Sequence, residues 1–175
     1  MRRAWPVIAL LALAGCGGQT PPHRPTKLEV ARTTHEYPSP RPPRPSVRGG
    51  SPTAAQAVRA FATSYINWTA DTVASDMRAL AARCVGQARS SLELAAAQTA
   101  SDYELKRGGI ANSGTVEAVV PWAGVRRQYL VVTRELTTAS NTTAYDGLRP
   151  AWHVALATVA RIGGAWVVRD WKPQS

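Results

Sequence analysis

Two cysteines, three histidines and one phenylalanine in 175 residues leave little room for several kinds of chemistry. His23, His35 and His153 show no ligand spacing with each other or with a cysteine, so no metal site of the Cys/His kind is expected. No apolar run approaches the roughly 20 residues that a membrane-spanning helix needs. Glycine-rich phosphate loops are missing as well; Gly108-Gly109 and Gly163-Gly164 read as a helix stop and a turn. Neither Ser-x-x-Lys nor Gly-x-Ser-x-Gly occurs, which removes the common serine nucleophiles. Lysine is scarce beside arginine, a compositional bias that carries no mechanism.

What is present is a formal charge of +10, unevenly spread. Arg2 and Arg3 supply two of those charges. Residues 17–50 hold six basic side chains against Glu29 and Glu36, and residues 51–175 hold 13 basic against 9 acidic. A nucleic-acid binder would concentrate its cations on the folded part, among aromatics. Here more than half of the excess lies before residue 51, so no specific nucleic-acid partner is expected. The charge suits anionic lipid headgroups or wall polymers better.

The first sixteen residues have their own logic. Met1-Arg2-Arg3 is a positive start, and Ala4 to Ala14 is an apolar stretch interrupted only by Pro6. That length fits a signal peptide and is too short for a membrane span. Arg2-Arg3 lacks the pattern that follows a twin-arginine pair and reads as a plain n-region. Leu13-Ala14-Gly15-Cys16 follows, and it resembles the lipobox of bacterial lipoproteins. The resemblance implies removal of residues 1–15, a diacylglycerol thioether on Cys16, and a third chain such as palmitate on the new amine. It further implies a cell-membrane location, lipid-anchored on the extracytoplasmic face. With Cys16 acylated, Cys84 would have no partner for a disulfide.

Residues 16–50 read as the lipidated cysteine followed by a disordered tether. Eight prolines, most of them in Pro38-Ser-Pro-Arg-Pro-Pro-Arg-Pro45, fix φ and remove donors. The stretch is therefore expected to build neither helix nor sheet and to favour polyproline geometry, reaching on the order of 100 Å. Lys27 to Ala31 is the one short patch that could pair as a strand.

From Ser51 the pattern changes. Ser51-Pro52 offers a capping hydroxyl and a first-turn proline. Val58, Phe61, Tyr65 and Trp68 then recur on one helical face. Asp71 can begin a second helix whose stripe is Val73, Met77, Leu80 and Cys84, which marks Cys84 as a buried, inert thiol. After Gly86 a third helix turns Leu92, Ala95, Ala96, Thr99 and Tyr103 inward and ends at Lys106-Arg107 before Gly108-Gly109. The period then becomes two. Strands are expected at Gly114–Trp122, Arg126–Thr138, Ala151–Ile162 and Ala165–Lys172, the last two joined by a tight Gly163-Gly164 turn. The expected fold is α+β, with three N-terminal helices packed on a curved antiparallel sheet of about four strands.

The aromatic stripe Phe61/Tyr65/Trp68, the Asp71 helix start and the ending Gly-Gly-Ala-Trp166-Val-Val-Arg-Asp-Trp171-Lys-Pro173 make residues 51–175 similar to the nuclear transport factor 2-like superfamily. That resemblance implies a cone-like sheet over a long helix, with Phe61, Tyr65, Trp68, Tyr129 and Trp152 as candidate pocket-lining residues. Enzymes of the superfamily place acid/base groups at the mouth of the cone. Tyr65, Tyr129, Asp71, Asp76 and His153 are the parts available here, and sequence brings none of them into one site. On strand 151–162, Trp152, Val154 and Leu156 share one face, and His153 shares the other with Ala155, Ala157 and Val159, as a packed or surface histidine. No catalytic residue, cofactor or metal is therefore assigned and the chain is not expected to be an enzyme. The leading expectation is a membrane-anchored, non-catalytic interaction or assembly module of an envelope complex, of the conjugation, secretion or transport type. A small-ligand or lipid-binding cone and an isomerase- or dehydratase-like enzyme are the alternatives.

Overall fold

The computed structural model describes residues 24–33 and 46–174. The expected signal peptide, Cys16 and the proline-arginine run up to Pro45 lie outside the described residues. The chain divides into two units, residues 1–42 and 43–175.

In the first unit Lys27–Thr33 forms a helix, α1, which corrects both the expectation of a helix-free stretch and the strand reading of residues 27–31. The cause is local. Pro25 and Pro38 leave a proline-free window between them, and Thr26 and Glu29 make a reciprocal capping box. The Glu29 amide donates to Thr26 Oγ1 at 3.3 Å, and the Thr26 amide donates to Glu29 Oε2 at 2.8 Å.

The second unit begins its helices at Ala54–Ile66, α2. Thr53, and not Ser51, is the cap: its Oγ1 accepts from the Gln56 amide at 3.3 Å and donates to Gln56 Oε1 at 2.9 Å. Ser51 instead exchanges both main-chain hydrogen bonds with Trp166, covering the outer edge of the last strand. The helix ends at Asn67, whose backbone is extended, so Trp68 leaves the helical stripe. It forms a two-residue strand with Thr69, β1. The Asn67 side chain continues the pairing. Its Oδ1 accepts from the Gly114 amide at 3.0 Å and its Nδ2 donates to the Gly114 carbonyl at 3.2 Å. Gly114 is required there, because a Cβ would stand 2.5 Å from the Arg134 carbonyl oxygen.

Helices α3, Val73–Ala81, and α4, Gly86–Ala100, follow. Asp71 does not cap α3; Thr72 holds that position, and its hydroxyl accepts from the Thr69 amide instead. The expected third helix is two helices. Asp102 takes the Leu105 amide at 2.9 Å and starts α5, Tyr103–Gly108, which leaves Tyr103 exposed and not inward. Lys106 and Arg107 occupy the last turn of α5, and Gly109 closes it in the left-handed conformation.

Strands β2 (Ile110–Pro121), β3 (Gln128–Ala139), β4 (Ala151–Ile162) and β5 (Ala165–Gln174) complete a five-stranded antiparallel sheet in the order β1-β2-β3-β4-β5, curled into a half-barrel. The expected count of about four strands was short by β1. Two bulges, at Val116/Ala118 and Thr158/Val159, supply the curl. Arg127 sits at φ 63°, which delays β3 to Gln128, and its carbonyl accepts from the Val159 amide at 2.9 Å, tying the β2–β3 turn to the second bulge. The Gly163-Gly164 turn forms as expected, with both residues at positive φ.

The core lies on the concave face. Val58, Phe61 and Ala62 of α2, Met77 and Leu80 of α3 and Leu92 and Ala96 of α4 pack on Val131, Ala157, Val159 and Val168 of the sheet. Cys84 joins them between α3 and α4, as its place on the apolar stripe implied.

Candidate functional site

Strand register sorts the residues of the sheet into two faces, and each face carries a feature of interest. Inward-facing positions on β3 are Tyr129, Val131, Thr133, Glu135 and Thr137, matched on β4 by His153, Ala155 and Ala157. Toward the closed end these side chains are apolar and buried. Toward the open end they become polar, where the helices no longer cover them.

The closed end is filled. Phe61 stacks on Tyr65 at a centroid distance of 5.8 Å, and Trp171 lies 5.0 Å from Phe61 and 5.4 Å from Tyr65. This aromatic triad occupies the space that an enclosed ligand cavity would need. A residual void of about 20 Å³ beside Leu80 and Cys84 is room for no more than a water. Two open grooves lie on either side of Tyr65. One, of about 200 Å³, lies between α2, α4 and Trp171; the other, of about 340 Å³, runs over Trp68, Met77, Asn112, Glu135, Thr137 and His153.

Glu135 organises the second groove. Its Oε1 accepts from Thr133 Oγ1 at 2.5 Å, and its Oε2 accepts from Asn112 Nδ2 at 2.9 Å. Asn112 is buried, donates also to the Ile66 carbonyl at 2.7 Å, and accepts from Thr137 Oγ1 at 3.0 Å. Every polar atom of this small network is thereby partnered, as buried polar groups require. Among the described residues no arginine or lysine pairs with Glu135. Burial pushes the Tyr65 phenol above its usual range, and the nearby Glu135 charge adds to the effect.

Of the candidate pocket residues, Tyr65 and Trp68 line the Glu135 groove. Phe61 belongs to the plug and to the wall of the smaller groove, and Tyr129 packs against the core from the inner face. Trp152 is corrected: it stands on the convex face, 63% exposed, with the Arg134 guanidinium 5.9 Å from its ring centre. Alternation along β4 dictates this, since Ala155 and Ala157 face inward. Of the candidate acid/base groups, His153 and Tyr65 reach the same groove, whereas Asp71 is exposed and Asp76 sits in the first turn of α3. Glu135 was missed. A charged residue sharing a strand face with Val131 and Thr133 is the signal that could have found it.

The convex face is apolar over its centre. Register aligns Val120, Leu130 and Leu156 in one row and Ala118, Val132 and Val154 in the next, with Trp152 at the border. Val120 and Trp152 are exposed and the others half-buried, and the core helices pack on the opposite face. Trp122 and Val125 extend the apolar surface onto the β2–β3 turn.

Cys84 takes no part in either surface. Burial pushes its thiol up to about 12, although the Arg83 and Arg89 charges pull the other way. In a Cys16→Ser background the folded protein should therefore resist iodoacetamide at neutral pH and react fully once unfolded in urea; rapid labelling of the folded form would contradict the burial. The sign of the pH effect follows. The folded state holds this proton more tightly than the unfolded one, so the contribution is intact below the unfolded value of 9.0 and is lost as pH rises toward 12.

No protein-family model matches the chain, and no curated protein matches it.

Proposed function

We propose that this chain is an extracytoplasmic lipoprotein, anchored through acyl chains on Cys16, whose domain serves as a non-catalytic interaction module in an envelope complex. The curled sheet wrapped over α2 supports a cone of the nuclear transport factor 2-like kind. Among the described residues no helix is long and apolar enough to cross a membrane, which is compatible with attachment by lipid.

The observation that carries the reading is the convex face. A contiguous apolar surface on Val120, Leu130, Val132, Val154 and Leu156, bordered by exposed Trp152, is what protein partners bury. The aromatic triad at the closed end, with open grooves beside it, favours this reading over an enclosed small-ligand cone.

Lysine substitutions test this without touching the core. In a detergent extract the wild-type chain should sediment with a species much larger than a single mature copy of it. Val132→Lys combined with Leu156→Lys should sediment alone while keeping its unfolding midpoint. A double variant that remains in the larger species would remove the convex face from the interaction.

A further inference from the structure

We propose that the groove over Glu135 is a binding site for a small organic cation, an alkylammonium or guanidinium group. It lies on the opposite side of the sheet from the apolar patch and does not depend on it.

Three observations converge. First, Glu135 is a partly buried carboxylate oriented by neutral donors, the Asn112 amide and the Thr133 hydroxyl. Neutral donors fix the direction of a carboxylate without cancelling its charge, so the negative potential is left to act on the groove. Second, this occurs in a chain whose basic side chains outnumber its acidic ones 21 to 11, yet none of the described arginines or lysines reaches it. Third, Trp68 and Tyr65 line the same groove, and aromatic faces beside a carboxylate attract cations, including those too bulky for a close ion pair. At about 340 Å³ the opening suits a headgroup or a side-chain terminus and is too small for a folded element. Met77 and Val73 offer an apolar wall for the methyl or methylene groups that such cations carry.

The neighbouring features do not compete for this role. The groove beside Ser46 and Val47 is lined by Arg48, Arg78 and Arg89 against the single carboxylate of Glu93, so its net charge has the opposite sign. His153, at the rim of the Glu135 groove, is the one other titratable group besides Tyr65 that lines it, and it is exposed.

The cation could come from a free molecule or from an arginine or lysine of a protein partner. Choline, with 3,3-dimethylbutanol as its uncharged isostere, probes the first source. N-acetyl-arginine amide probes the second. The full chain carrying Cys16→Ser is titrated with each, and amide shifts in β3 and β4 are followed by NMR. The expected result is saturable shifts at Thr133, Glu135 and His153 with one or both cations and none with dimethylbutanol. Preference between choline and the arginine amide identifies the source. Glu135→Gln should weaken binding about tenfold or more, the loss of one charge-assisted contact. Equal binding of choline and dimethylbutanol, unchanged affinity in Glu135→Gln, or no saturable shift with either cation would each overturn the assignment. The isostere comparison is made on the protein with Glu135 intact, so it decides the matter even if the Gln variant folds poorly.

Discussion

Phe61→Ala should destabilise the domain by about 3–5 kcal/mol, the cost of removing a fully packed aromatic side chain and leaving a cavity. Phe61 is 4% exposed and touches two rings, Tyr65 and Trp171, that come from opposite sides of the core. Tyr65 belongs to α2 itself, one turn on, whereas Trp171 lies on β5 near the end of the chain. The ring therefore joins the first helix of the unit to its last strand. Neither neighbour can close the gap readily, because Tyr65 is held toward the grooves and Trp171 is fixed by the β4–β5 register. Against a total stability of about 5–15 kcal/mol the loss is large. It is measured by urea unfolding in a Cys16→Ser background, followed by tryptophan fluorescence. Trp152→Ala is the matched control: its ring is mostly solvent-exposed, and the expected change is below about 1 kcal/mol. Equal losses at the two positions would mean that the plugged closed end is not what holds the fold together.

Cys16→Ser should release the protein from the membrane fraction or leave the precursor unprocessed. Burial of acyl chains contributes roughly 0.8 kcal/mol per methylene; one chain holds a protein marginally and two hold it firmly. Removing the sulfur removes the diacylglycerol attachment altogether, so the effect is close to all-or-none and not a graded loss. Among the described residues no helix is long and apolar enough to cross a membrane. Fractionation with mass determination of the mature chain checks both halves of the expectation. Normal maturation with full membrane retention would contradict lipidation at Cys16.

The sheet was more legible than the helices. β4 begins and ends where the alternation places it, and the Gly163-Gly164 turn between β4 and β5 is encoded by two residues that tolerate positive φ. The Cys84 stripe was legible for the same reason: one period runs through Val73, Met77 and Leu80. Errors fall where a side chain or a tertiary contact overrides the local pattern. Trp68 continues a helical stripe in sequence, but the Asn67 amide pairs with Gly114, 47 residues away, and pulls the chain into β1. Tyr103 fits the stripe of α4, yet the Asp102 carboxylate restarts the helix there. Ser51 looked like a cap and was drawn instead to Trp166, at the far end of the unit. Between the prolines the Thr26/Glu29 capping box starts a helix, where the proline content alone argued for an extended chain.

The two surfaces differ in the same respect. Alternation alone separates Trp152 from His153, so the convex face could be read from the strand. Which inward residues lie under the helices and which stay open depends on where α2 and α4 end over the sheet. That made the open position of Glu135 illegible, along with its Asn112 partner on another strand.

The claim that the convex face is the working surface is tested most directly by site-specific photocrosslinking in intact cells. A photoreactive side chain placed at Val132 or Leu156 should yield one discrete larger species containing a second protein. The same group at Gln98, exposed on α4, should yield none. Crosslinking of equal strength from Gln98, or products from Val132 and Leu156 containing only this chain, would contradict the account.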